Sequence, residues 1–376
     1  MSFLQLACDA TNPIKPSILT HPRLPHRKDD KMHSKTTATK KLLVGKVPNE
    51  ILKKIVFRLT GVQNPRVISG PAIGEDAAVI DYQGKLLVAK SDPITGAESN
   101  SGWLAVHVNA NDIAVRGAKP LFYLSTIILP ESEDVGTLEE ICKGVDSAAR
   151  ELCVSVIGGH TEVTSAVSRP ILCGMMIGEA ERGKIILSSG AKVGDAIVVT
   201  KSMALEGTAI LATDRYEQLK GIVGSRLLKS AQGFLKYISV VKEALAAAET
   251  GYVHSMKDPT EGGLLQALNE IAEASGTGYS IDARLVPIED ETRRICEALQ
   301  VNPLKLISSG MLILTLDPRN QDNVIKRIRE VGVNASRIGT ITGRGRSVLN
   351  FSGVTETPDE FVAEELWKAL KVELEQ

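Results

Sequence analysis

Three acids stand at the ends of two short apolar runs in the stretch GPAIGEDAAVIDYQGKLLVAKSDPI, residues 70–94: Glu75, Asp76 and Asp92. Carboxylates contribute nothing to an apolar core, so their placement is a question of charge. A hairpin turn centred on Gln83 and Gly84 sets position 76 opposite position 91, which brings Asp76 and Asp92 within a residue or two of each other. Two carboxylates this close raise each other's pKa and destabilise the site unless a cation or a donor intervenes. Hard oxygens converging from loops suit Mg2+, which takes a few carboxylates and keeps waters or substrate phosphates. The local alternative is that Asp76 caps a turn and Asp92 opens one at Pro93, each making hydrogen bonds to nearby backbone.

Asn109, Asp112 and Arg116 stand at i, i+3 and i+7 of a run whose other positions are mostly Ala, Val, Ile and Leu. A polar stripe on an otherwise buried helix needs partners. Either Asp112 pairs with Arg116 one turn on, or Asn111 and Asp112 add oxygen ligands to the group begun by Asp76 and Asp92. Further along, GGHTEV (158–163) places Gly158 and Gly159 before His160, for close backbone approach to a ligand or for a tight turn. In SMKDPTEGGLLQALNEIAEASG (255–276), Leu264, Leu265, Leu268, Ile271 and Ala272 form a helical apolar face, and Gly276 sits where a C-terminal cap is wanted. Lys257, Asp258 and Thr260 stand at the entrance of that helix. Free N–H groups and the positive end of the helix dipole favour phosphate there, although an N-cap alone also explains Asp258 or Thr260.

Alternating strands and helices must position these residues. The pattern predicts a short helix over 50–59, strands at 77–82 and 85–89, a helix over 103–118, a strand over 120–129, a helix near 137–152, and strands at 154–159 and 170–180. A second series opens at 190–201, punctuated by Gly190 and Gly194. It continues through helices near 206–213 and 227–250, the helix after Asp258, and strands at 279–284, 311–316 and 336–342. The expectation is an α/β (α+β) fold in two parts, 45–185 and 186–350, preceded by a flexible extension over 1–44 and followed by a C-terminal helix over 351–376. The length of 376 residues suits two domains, and 43% hydrophobic with 24% charged residues is ordinary for a globular chain. A net charge of −1 without a basic stripe argues against nucleic acid. No apolar run approaches the roughly 20 residues of a membrane span and no signal peptide is seen, so no membrane partner is expected. The five cysteines, Cys8, Cys142, Cys153, Cys173 and Cys296, are odd in number and never spaced as CxxC, which fits a reducing cytoplasm.

Taken in order, GPAIGEDAAVI, KSDPI, NANDIAVRGAKPLFYLSTIIL, GGHTEV, VGDAIVVTK and MKDPTEGGLLQALNEIA resemble the motifs of the aminoimidazole ribonucleotide synthetase (PurM-like) superfamily over about residues 44–350. Within it they are most similar to those of the hydrogenase maturation factor HypE and its archaeal relatives. Thiamine-monophosphate kinase and selenophosphate synthetase are more distant members. The resemblance implies a homodimer in which N-terminal strands of two copies join in a shared barrel, with a C-terminal α/β domain alongside. It also implies ATP with Mg2+ bound between the domains, and attack of an amide, thioamide or phosphate-type oxygen on the γ-phosphate. The acceptor would be a small molecule or protein-borne, with other maturation proteins as partners; the alternatives are a small-molecule kinase or synthetase, or a nucleotide-binding partner without turnover.

Carried over residue by residue, the family's glycine-rich acidic loop falls on Gly70, Gly74 and Asp76, and its metal acids on Asp76, Asp92 and Asp112. Asn111, Gly158, Gly159, His160 and Thr260 would serve the nucleotide, and Lys257 and Asp258 the chemistry. Three departures stand out. His160 replaces the acid of the usual GGDT, with Glu162 as a substitute ligand. Ser309 stands before Gly310 where maturation factors carry Glu. The end VELEQ has no cysteine to carry a carbamoyl group, the last thiol being Cys296 in a helical run. The nucleotide half matches the family and the acceptor half departs from it.

Overall fold

A computed structural model describes residues 47–62, 64–94 and 100–371, all within one unit from Leu43 onward. The extension expected over 1–44 lies outside the described residues. Helix α1 (Asn49–Lys54) ends in a 3-10 turn at Val56–Arg58, and strands β1 (Val67–Ser69), β2 (Ala78–Tyr82) and β3 (Lys85–Ile94) follow. Ala78 pairs with Ala89 and Tyr82 with Lys85, the register expected from a turn at Gln83 and Gly84. Both turn residues have positive φ, 50° and 88°, which matches the twist of the flanking strands. Strand β3 outlasts the predicted 85–89, because Leu86 to Ile94 pair with a second neighbour. Asp92 therefore sits inside a strand, not in a turn after one.

The chain continues through α2 (Ser101–Ala114), β4 (Lys119–Leu129), α3 (Val135–Glu151), β5 (Ser155–Val163) and β6 (Ile171–Ala180). These strands form a six-stranded sheet in the order β1-β2-β3-β6-β4-β5. Only β4 and β5 run parallel, joined by the crossover helix α3 as a parallel pair requires. Helix α2 lies on β3 and β6 with α3 at its side, and every residue of it except Trp103 is buried.

A second sheet begins at β7 (Ala196–Thr200). It is followed by α4 (Leu205–Asp214), α5 (Tyr216–Leu219), α6 (Ser225–Gln232), α7 (Val241–Glu249), β8 (Val253–Lys257), α8 (Gly263–Ser275) and β9 (Gly278–Asp282). Then come α9 (Asp290–Leu299), β10 (Ile313–Leu316), α10 (Gln321–Glu330), β11 (Ala335–Thr342), β12 (Arg346–Leu349), β13 (Thr355–Glu356) and α11 (Leu366–Ala369). The sheet order is β13-β12-β9-β11-β7-β10-β8. Strands β7 and β10 are buried along their whole length, whereas β11 is buried only in part and exposes Arg337. Val198, Met256 and Leu314 join the core of the first sheet, while Ile197, Ile313 and Ile338 face the helices α4, α8 and α9. No described helix is long and apolar enough to cross a membrane.

Two expected helices are not continuous. The run 227–250 breaks into α6, a 3-10 turn at Gly233–Tyr237, and α7. Side chains take the backbone groups a helix would use there: Lys201 Nζ donates to Tyr237 O and Ser239 O, and Asn111 pairs with Ile238 O and Val240 N. The C-terminal run expected to be helical over 351–376 holds the two-residue β13 and the short α11 among its described residues. Its backbone is held instead by α8, whose Asn269 donates to Asp359 O and Glu360 O and whose Gln266 accepts from Val362 N.

Candidate functional site

The carboxylates of Asp76, Asp112 and Asp258 offer oxygens that all lie within 4.8 Å of one another. Three elements deliver them: the loop before β2, the last turns of α2, and the exit of β8. Asp76 is held from two sides, with Arg116 Nη2 donating to Oδ2 at 2.7 Å and Lys257 Nζ donating to Oδ1. Arg116, fully buried, also donates from Nη1 to Glu75 Oε2 at 2.6 Å. Glu75 in turn accepts the backbone N–H groups of Ser188 and Ser189. Lys257 bridges to Glu270 Oε2 at 3.0 Å. Lys90 stands 3.2 Å from Asp92 Oδ2 and 3.2 Å from Asp112 Oδ2.

Charge in this group is unbalanced. The six carboxylates named, Glu75, Asp76, Asp92, Asp112, Asp258 and Glu270, meet three cations, Lys90, Arg116 and Lys257. Burial, and then the charge of Asp76, push the Asp258 carboxyl up to about 7, and both of its oxygens are buried without a hydrogen-bond partner. Burial also lifts Asp112 well above the carboxylate range, against the pull of Lys90. Asp76 goes the other way: burial opposes its ionisation, but Lys257 and Arg116 outweigh that and keep its pKa low. Burial likewise works against the charge of Lys257, yet Asp76 and Glu270 raise its pKa on balance, so it is a fixed cation and not a base at neutral pH. Clustered buried carboxylates with orphaned oxygens fit a hard divalent cation, which would supply the missing positive charge and the missing bonds.

Of the residues singled out from sequence, Asp76, Asp112, Lys257 and Asp258 are brought together here. Asp92 lies beside the group across Lys90, its backbone N–H bonded to Asn109 Oδ1 at 2.9 Å. Asp112 and Arg116, a possible pair one turn apart, each choose another partner. Asn111 turns away, its amide wholly engaged with Ile238 and Val240 of the second half. Thr260 lines a cavity of about 290 Å3 together with Asp76, Lys90, Asp92 and Asp112. Gly74 is a packing residue: a Cβ there would sit 2.7 Å from Glu270 O. Gly70 opens the loop after β1 and does not line the cavity.

Gly158, Gly159 and His160 lie in β5, which runs on to Val163, past the strand expected over 154–159. Strand β5 is separated from β3 by β6 and β4, so these residues do not reach the acids within the chain. His160 and Glu162 stand 3.4 Å apart on the exposed face of that edge strand. The N–H of Gly262, just before α8, is not open to an external anion. Glu364 Oε2 accepts it at 2.6 Å, and the same carboxylate accepts Ile307 N and Leu366 N. Cys296 is buried, and burial pushes its thiol up to about 12.

Sequence reasoning gave no role to Lys90, Glu270, Glu206 or Glu364. Lys90 was detectable, because it stands two residues before Asp92 on β3 and so shares its face. Glu206 and Glu364 line the far side of the same cavity with Ser309 and Trp367, and nothing in their local sequence marks them.

Comparisons with known proteins bear on this arrangement. The profile described as AIR synthase related protein, N-terminal domain, matches residues 74–180, and that of the C-terminal domain matches residues 192–352. A putative hydrogenase expression/formation protein of Methanocaldococcus jannaschii is 31% identical over 312 residues, covering 81% of this chain and 90% of that protein. The carbamoyl dehydratase HypE of Rhizobium leguminosarum bv. viciae is 30% identical over 280 residues, covering 71% of this chain and 77% of that protein. Among solved structures, the hydrogenase maturation protein HypE in complex with ATP aligns with a TM-score of 0.65 at 25% identity, covering 87% of this chain and 97% of that one. With both domain profiles matched in order and a relative this similar along nearly its whole length, the chain belongs to the AIR synthase related family, with a PurM-like fold.

Proposed function

We propose that this chain is an ATP- and Mg2+-dependent enzyme that activates an amide-type acceptor through the ATP phosphate, a reading supported by relatives named carbamoyl dehydratase and by the HypE structure in complex with ATP. The observation that carries the reading is the group Asp76, Asp112 and Asp258, with both oxygens of Asp258 buried and unpartnered beside a cavity. Asp76, Asp112 and Asp258 would hold the metal, and Asp92 stands next to them for a further contact. When bound, Mg2+ neutralises charge on the transferring phosphoryl group. The protein's own part is positioning. Arg116 and Lys257 fix the Asp76 carboxylate from two sides, and Lys90 is the one cation among the described residues lining the cavity.

That single lining cation, already facing Asp92 and Asp112, disfavours a kinase acting on a phosphorylated metabolite, which would need its own Arg or Lys set for the second phosphate. Cys296 is not the acceptor nucleophile, since its thiol is buried and far from ionising at neutral pH. The exposed strand β5, carrying Gly158, Gly159 and His160, supports a homodimer in which a second copy covers these residues. ATP hydrolysis measured with and without amide acceptors tests the reading, alongside calorimetry of Mg-ATP on the parent and on Asp112→Asn. Equal Mg-ATP affinity for the two would remove the metal role of Asp112, and no nucleotide binding by the parent would remove the proposal.

A further inference from the structure

The cavity has two chemically different ends. At one end Lys90 offsets Asp92 and Asp112. At the other, Glu206, Ser309 and Glu364 meet Ile210, Ile307 and Trp367. Glu206, on the first turn of α4, is 6% exposed. Ser309 lines the cavity with it, and the Glu206 Oε2 is buried without a hydrogen-bond partner. Buried carboxylate oxygens are rarely left so, because desolvation without a bond is costly. Glu364 does not share this need, since three backbone N–H groups satisfy it. Among the described residues no Lys, Arg or His lines this end, and an aromatic side chain, Trp367, adjoins it. An acidic pocket with one open acceptor and an aromatic wall suits a cation bearing N–H donors, and it repels phosphates and carboxylates.

We propose that this end of the cavity recognises a cationic N–H group, a primary ammonium or an amidinium, with Glu206 Oε2 as its counter-ion, Ser309 as a lining hydroxyl, and Trp367 as the adjoining wall. The inference rests on the proposed function only in naming this group as part of the acceptor; the recognition itself needs no nucleotide.

The test uses the full chain without nucleotide and four probes of one carbon skeleton: n-butylamine, butyramidine, butyramide and butyrate. Binding is read by saturation-transfer NMR and calorimetry. The amine and amidine bind the parent, the amide and the acid do not, and Glu206→Gln weakens the cations roughly tenfold or more. Ser309→Ala keeps the charge and falls between the two. The idea is overturned if no probe binds, if the amide binds as well as the amine, or if Glu206→Gln leaves the cations unaffected. Mg-ATP calorimetry on Glu206→Gln reports its fold: unchanged affinity places the loss at this end, and loss of both ligands in Glu206→Gln and Ser309→Ala overturns a separate site. If the parent binds the amine but not Mg-ATP, the proposed function fails and this site stands.

Discussion

Replacing Asp258 by Asn should move two properties in opposite directions. Without metal, Asp258 is a buried carboxyl whose two oxygens lack partners and whose pKa is pushed up from 3.8 to about 7 by burial and by Asp76. Because the folded value lies above the unfolded one, its favourable contribution is fully present below about pH 4 and is lost as the pH rises through 7. The rise from 3.8 to about 7, at roughly 1.4 kcal/mol per tenfold in proton activity, is a cost on the order of 4 kcal/mol once the group is ionised. An Asn amide at this position also lacks partners, at about 1 to 3 kcal/mol, so the variant should gain about 2 kcal/mol at pH 8 and little at pH 5. Its affinity for Mg-ATP should fall, since a ligand carboxylate is gone. Urea unfolding in EDTA at both pH values, with calorimetry of Mg-ATP at pH 8, measures both effects. A variant less stable than the parent at pH 8 without metal would refute the idea that this cluster is strained by its own charge. Unchanged Mg-ATP affinity would refute the metal role.

Arg116→Met leaves Glu75 short of its cation and Asp76 with Lys257 alone, so unfolding should show a loss of about 3 to 5 kcal/mol; a loss under 1 kcal/mol would mean that the pair is not structural. Glu364→Ala removes the acceptor of Gly262 N, Ile307 N and Leu366 N, so limited proteolysis should cut residues 359–371 faster than in the parent, and equal rates would show that the tail is held by packing alone. All nine residues of β5 are exposed, among them Val156, Ile157 and Val163, which is an unprotected apolar edge; light scattering at micromolar concentration should give a dimer mass, and a monomer mass would remove the shared interface.

What the sequence determined by itself was local. The hairpin register followed from a two-residue turn whose Gln83 and Gly84 must both take positive φ, and the buried face of α8 followed from leucines at helical spacing. The convergence of Asp76 and Asp112 was also legible, through the family motifs and the polar stripe on α2. Tertiary structure decided the partners. Periodicity reports that a face is buried and not what it is buried against, so Arg116 was equally free to meet Asp112 or, as it does, Glu75 and Asp76. Asp258 joins acids far away in the chain because β8 ends beside α2, a consequence of a core shared between the two sheets. The C-terminal segment carries a helical pattern, yet α8 offers its backbone Asn269 and Gln266, and Glu364 finds three N–H groups on the way. A propensity worth a few tenths of a kcal/mol per residue yields to such buried hydrogen bonds, because leaving their donors unpaired costs more.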